Sequence, residues 1–157
     1  MELLGAFEAL RAAVSSGELE ILFTHVTVDE MAAIPVLEKR QRLLIFLIAI
    51  GRMIDTSSVC LDVSRLDFCR LSDDDGAFEA LRSNKISHSR DALIAHTALA
   101  EKCALVTNEK RLTARSRDQG IEVLTTADLL ALVGFTTATA PSAGSGVNRG
   151  SCQNVAS

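Results

Sequence analysis

Segments that favour strands alternate with segments that favour helices along most of this chain. Apolar runs rich in β-branched residues cover 19–28, 58–63, 104–107 and 121–124, and helical patterns lie between them. Parallel strands need crossover connections, which are usually helices. The alternation therefore predicts an α/β fold with a parallel sheet that is covered by helices on both faces.

The predicted helices share apolar residues at spacings of three and four. They cover 2–15, about 27–51 with a break at Pro35, 77–82, 91–103, 110–118 and 127–133. Thr27 and Glu30 have the spacing of a capping box, so we expect the second helix to begin there. Asp73–Asp75 precede the helix at 77–82 and suit its positive end, and Thr126 is the expected cap of the last helix.

The chain divides by composition at Phe135. Residues 1–134 have the apolar content of one domain with one core. Residues 135–157 are rich in Ser, Thr, Gly and Ala and carry a single charge. Such a segment buries too little apolar surface to offset its ordering entropy, so we predict a disordered tail.

Composition restricts the possible partners and the compartment. The formal net charge is −4 and there is neither Trp nor Tyr, so nucleic-acid binding would need a local basic patch rather than a basic surface or aromatic stacking. The four cysteines form no CxxC pair, which favours reduced thiols in a cytoplasmic protein. The apolar run at 43–54 is shorter than a membrane span, so we expect no membrane partner.

Three acids are the candidates for chemistry. Ligands of open parallel sheets bind at the carboxyl ends of the strands. Glu30 and Glu109 follow predicted strands, and Asp91 opens the helix that leads into the strand at 104–107. Carboxylate oxygens are the ligands that Mg²⁺ and Mn²⁺ prefer.

Each of these acids also has an ordinary structural interpretation. Glu30 fits the third position of a capping box. Asp91 suits the positive end of its helix, and Glu109 suits a solvated loop. Spacing alone leaves these alternatives open.

Two stretches of the sequence resemble the PIN-domain family. In the first, Asp91 opens a helix with small residues (RDALIAHTA, 90–98), a short strand leads into Thr107-Asn108-Glu109, and Gly120-Ile121-Glu122-Val123 follows. In the second, residues 19–34 are similar to the second strand of the family and to the helix start that bears its second acid. The family includes the ribonuclease toxins of VapBC-type toxin–antitoxin pairs.

The resemblance implies a set of functional residues. Glu30 matches the second acid of the family, with Asp29 as its alternative, Asp91 matches the third acid, and Glu109 stands where the fourth is usually Asp. These three would be catalytic and would bind Mg²⁺ or Mn²⁺. Thr107 and Asn108 match the supporting polar turn, and Arg90, Lys110 and Arg111 are the expected RNA-binding residues.

The resemblance also implies a three-layer domain with a central parallel sheet. In the family the first strand carries the first Asp and lies in the middle of that sheet, and no segment before the first helix matches it here. We therefore expect a PIN-like domain that is truncated at its N-terminus. Its implied activity is metal-dependent hydrolysis of RNA, and its implied partners are an antitoxin protein and a second copy of the chain.

Two other functions remain open. Loss of the first acid would leave a non-catalytic PIN-like binding module. A receiver-like signalling domain also uses an acidic pocket at strand ends, and Asp62 would serve there, but no Asp pair follows an early strand.

Overall fold

A computed structural model describes residues 2–70, 76–83 and 85–135. Within these residues the chain is a mixed α/β protein in which helices predominate. Its helices are α1 (Glu2–Ser16), α2 (His25–Ala32), α3 (Leu37–Ile50), α4 (Ala77–Arg82), α5 (Ser89–Ala100), α6 (Lys110–Asp118) and α7 (Thr126–Leu132). Its strands are β1 (Ile21–Phe23), β2 (Gly51–Met53), β3 (Leu105–Val106) and β4 (Val123–Leu124).

The strands form two separate parallel pairs rather than one central sheet in the part of the chain that the structure describes. β1 pairs with β2 in the register Ile21 to Gly51, and β3 pairs with β4 in the register Leu105 to Val123. The prediction of parallel strands joined by helices is confirmed. The prediction of a single sheet across the domain is not met by the described strands.

The first predicted strand is too long, because only Ile21–Phe23 is extended and α2 already begins at His25. The β-branched residues that follow β1 favour a strand in isolation. In the fold, Val26 is 1% exposed and lies in the core, and α2 packs on α5. Burial of this helical face overrides the local propensity.

The strand predicted at 58–63 is wrong. A hydrogen-bonded turn occupies this region, in which Ser64 N–H donates to the Cys60 carbonyl at 2.7 Å and Cys60 N–H donates to Ser64 Oγ at 2.8 Å. The partner of β1 is instead β2, which directly follows α3.

Two predicted helix caps are also wrong. Thr27 and Glu30 lie inside α2, whose N-cap is Thr24, and the Thr24 side chain makes no capping hydrogen bond. The cap of α7 is Thr125 rather than Thr126. Thr125 Oγ1 accepts a hydrogen bond from Asp128 N–H at 3.1 Å, and the Asp128 carboxylate accepts one from Thr125 N–H at 2.8 Å.

The predicted helix boundary at Pro35 is confirmed. The helix break at Pro35 separates α2 from α3. Gly17 and Gly120 end α1 and α6 with φ of +77° at both positions, a backbone conformation that glycine adopts without a steric penalty.

α5 is the centre of the main core. Leu93, Thr97 and Ala98 are buried, and Ile94 is partly buried against the core. Ala100, at the end of the helix, is exposed. α5 packs most extensively on α4, and its apolar face also meets the buried residues of β3 and β4.

Some predictions fall outside the described residues. These include the run Asp73–Asp75, Cys152 and the tail from residue 136 onward. Cys60, Cys69 and Cys103 are free thiols. No helix in the described ranges is long and apolar enough to cross a membrane.

Leu93→Ala should lower the free energy of unfolding by about 2–5 kcal/mol, because Leu93 is fully buried and truncation leaves a cavity. Ile48→Ala is the matched control, since Ile48 is 69% exposed, and it should change stability by about 0.5 kcal/mol or less. Urea denaturation monitored by circular dichroism measures both. Equal losses in the two variants would contradict the assignment of the core to α5.

Candidate functional site

The carboxyl groups of Asp91 and Glu109 are in hydrogen-bonding contact. Asp91 lies in the first turn of α5, and Glu109 is the N-cap residue of α6, three residues beyond the end of β3. Two carboxylates in such contact repel each other unless they share a proton or a cation. Burial is the largest cause of a raised Asp91 pKa, and the charge of Glu109 and the hydrogen bond to it raise it further.

Glu30 interacts with Asp91 from α2. Its pKa is raised, first by partial burial of the carboxyl and then by the charge of Asp91. Glu30 and Asp91 interact through their charges alone, which is a longer-range interaction than the hydrogen-bonding contact between Asp91 and Glu109. Glu30 remains exposed overall, and it reaches the site from the second turn of α2 rather than from the end of a strand.

Positive groups flank the acids. Arg115 lowers the pKa of Asp91, and Arg90 lowers that of Glu30. Arg115 Nη1 lies 2.7 Å from His88 Nδ1. Because a guanidinium can only donate, the imidazole nitrogen accepts this bond.

The polar turn after β3 positions Glu109. Thr107 N–H donates to the Leu124 carbonyl at 3.0 Å, and Thr107 Oγ1 accepts from Glu109 N–H at 3.1 Å. Asn108 ties the turn to α7, because its side chain donates to Thr126 Oγ1 at 2.9 Å and accepts from Thr126 N–H at 3.2 Å. Thr107 and Asn108 thus hold the backbone that carries Glu109.

The expected RNA-binding residues are all exposed. Arg90 lies on α5 beside Asp91, and Lys110 and Arg111 open α6 directly after Glu109. Asp29, the alternative to Glu30, forms a close ion pair with Arg65 and thus has a cationic partner of its own.

A metal ion fits this donor set in part. Asp91 and Glu109 supply adjacent hard oxygen donors, which suit Mg²⁺ or Mn²⁺. Within the described ranges, however, no three His, Cys, Asp or Glu side chains form a ready set of ligands. Two carboxyls are in contact, and Glu30 would have to move toward them to complete a three-acid site.

Sequence reasoning missed the role of Arg115 beside Asp91. The bond between Arg115 and His88 joins residues 27 positions apart. No local pattern signals such a pair.

A second missed feature is the buried polar group around His96. His96 Nδ1 lies 2.7 Å from Ser58 Oγ and 3.1 Å from Ser57 Oγ, and Thr97 Oγ1 accepts from Ser57 N–H. These residues are buried and connect the loop after β2 to α5. His96 therefore belongs to the core, in agreement with its place on a different face of α5 from Asp91.

Compared with known proteins, the chain matches no family model, no curated protein and no solved structure. The PIN-domain resemblance accordingly stays a prediction from sequence. What bears on function is the geometry of the acids.

Asp91→Asn should raise the thermal unfolding temperature at neutral pH in metal-free buffer. The raised pKa means that folded Asp91 holds its proton more tightly than unfolded Asp91. Wild-type stability therefore falls as pH rises through the interval between the ordinary and the raised pKa, and it stays lower above that interval. The advantage of the variant should shrink as pH falls through this interval.

Calorimetry at pH values from 7 down to 4 tests this expectation. Asp67→Asn, which neutralises an exposed acid on another surface, is the control and should show no such trend. If Asp91→Asn and wild type unfold at the same temperature at neutral pH, that result would contradict the crowding of negative charge at Asp91.

Proposed function

We propose that this chain is a metal-dependent endoribonuclease that hydrolyses RNA phosphodiester bonds. The observation that carries the proposal is the contact between the carboxyls of Asp91 and Glu109. Glu30 is close enough for the charge of Asp91 to raise the Glu30 pKa. The three acids come from α2, α5 and the start of α6, and they are far apart in sequence. Such crowding of like charges costs stability without a cation, and it is typical of functional sites.

The acids would hold Mg²⁺ or Mn²⁺, with Asp91 between the other two. The bound metal would supply water activation and neutralisation of charge on the phosphate. Arg115 and His88 contact each other near Asp91. Thr107 and Asn108 keep the Glu109 backbone in place.

RNA would be held by exposed basic residues at the rim. Arg90, Lys110 and Arg111 border the acids in sequence and are solvent-accessible. They supply the local positive charge that a chain with a net charge of −4 needs to contact a phosphate backbone.

The PIN-like three-layer architecture is part of the same proposal. In that architecture a strand ending in Asp lies between the strands that correspond to β1 and β3. These two strands belong to different sheets among the described residues. By resemblance to the toxin branch, an antitoxin and a second copy of the chain are the proposed protein partners.

Metal binding and cleavage test the proposal together. Wild-type protein should gain thermal stability in millimolar Mn²⁺ or Mg²⁺ and should cleave a panel of fluorescent single-stranded RNAs. Asp91→Asn and Glu109→Gln should each lower the cleavage rate by a factor of about 100 or more, since each removes a metal ligand. Glu8→Gln, which neutralises an exposed acid on α1, is the control and should cleave normally.

The assay should include any longer product of the same reading frame that adds a strand ending in Asp. If metal stabilises the protein but no RNA is cleaved by either form, the non-catalytic binding module becomes the better description. If neither metal binding nor cleavage is found, the nuclease proposal fails.

A further inference from the structure

A short segment connects α2 to α5, the helices that carry two of the three candidate acids. This connecting segment, residues 57–65, comes shortly after β2. At its start it contacts α5, where Ser58 Oγ lies 2.7 Å from His96 Nδ1. At its end it contacts α2 through Arg65. The segment therefore joins the two helices whose separation decides how close the acids lie.

Arg65 contacts α2 at two points. Its backbone N–H donates to His25 Nε2 at 3.3 Å, and its guanidinium forms the close ion pair with Asp29. His25 and Asp29 are four residues apart, so they lie on one face of the helix. The Arg65 backbone is itself held, because its carbonyl accepts from Phe68 N–H at 2.9 Å. Two contacts on one face oppose rotation of α2 about its axis.

The position of Glu30 depends on that rotation. α2 has eight residues and its N-cap residue, Thr24, makes no capping hydrogen bond, so the helix needs tertiary contacts to stay in place. Glu30 follows Asp29 by about 100° around the axis. It shares a face with Val26, which is buried in the core. The contacts of Arg65 therefore keep Glu30 on the side of α2 that packs on α5.

We propose that Arg65 is a positioning residue of the candidate metal site, because it fixes the rotation of α2 and so keeps Glu30 beside Asp91. Arg65 acts through α2 and does not itself bind the metal. The assignment rests on the proposed function, since that function makes Glu30 a metal ligand. The Glu30 side chain is exposed, so it keeps the freedom to move toward Asp91 when a cation binds.

Titration of the full chain with Mn²⁺, followed by calorimetry, separates positioning from a simple effect of charge. Loss of a nearby positive charge should strengthen the binding of a cation, whereas loss of a positioning contact should weaken it. Arg65→Ala should raise the Mn²⁺ Kd by about three- to tenfold, at or below the effect of losing a residue that holds a ligand directly. Arg65→Lys keeps the charge and should retain most of the affinity.

Arg70→Ala is the matched control. The side chains of Arg65 and Arg70 are 60% and 55% exposed, and Arg70 also forms an ion pair, with Glu101 at the end of α5 remote from Asp91. This variant should leave the Mn²⁺ Kd unchanged. Both alanine variants should unfold within about 4 °C of wild type in metal-free buffer, because exposed ion pairs add little to stability.

Glu30→Gln tests the path through α2. Alone it should weaken Mn²⁺ binding, since it removes a ligand. Addition of Arg65→Ala to it should cause no further loss, because the ligand that Arg65 positions is gone. This double-mutant cycle isolates the coupling between the two residues.

Unchanged or tighter Mn²⁺ binding by Arg65→Ala would overturn the inference, and so would equal losses from Arg65→Ala in the wild-type and Glu30→Gln backgrounds. Asp29→Asn breaks the same ion pair from the other side and should reproduce the effect, which keeps the test decisive if Arg65→Ala does not fold. If wild type binds Mn²⁺ and Asp91→Asn does not, the proposed function survives either result. If wild type binds no Mn²⁺, both proposals fail.

Discussion

The contact between the Asp91 and Glu109 carboxyls is the constraint on which the candidate site depends. Each acid is placed by an element that cannot easily move. Asp91 is on the first turn of α5, whose opposite side is the core, and Glu109 caps α6 after a turn fixed by Thr107. The stability of the fold therefore holds the two acids together against their mutual repulsion. Binding of a cation or a proton would relieve that repulsion.

The same helix supports the candidate site and the core. The start of α5 carries Asp91, and its later turns hold Leu93 and Thr97 in the core. Asp91 therefore lies on a well-supported element, because the apolar burial behind it is extensive.

The sequence allowed most helices to be predicted, because apolar residues at spacings of three and four report directly on a buried face. It failed where tertiary contacts decide the conformation. The β-branched residues before Asp29 form a helix because Val26 is buried against the core, and the run at 58–63 forms a turn because Ser64 satisfies the Cys60 backbone. Strand pairing is similarly non-local, so β2, the partner of β1, was not predicted. The juxtaposition of Asp91 with Glu109 followed from the resemblance, whereas the bond between Arg115 and His88 had no signal in the sequence.

The strands are so short that they add little to the resistance of the domain to local unfolding. Ladders of two or three residues contribute few interstrand hydrogen bonds, so the cooperative unit of the domain must be built from helix packing. Amide hydrogen exchange should then be slowest in the middle of α5, while the strand amides exchange early through small local fluctuations. The scaffold would thus be stiff beneath Asp91 and compliant near β1, and the acid on α2 could adjust its position while Asp91 stays fixed.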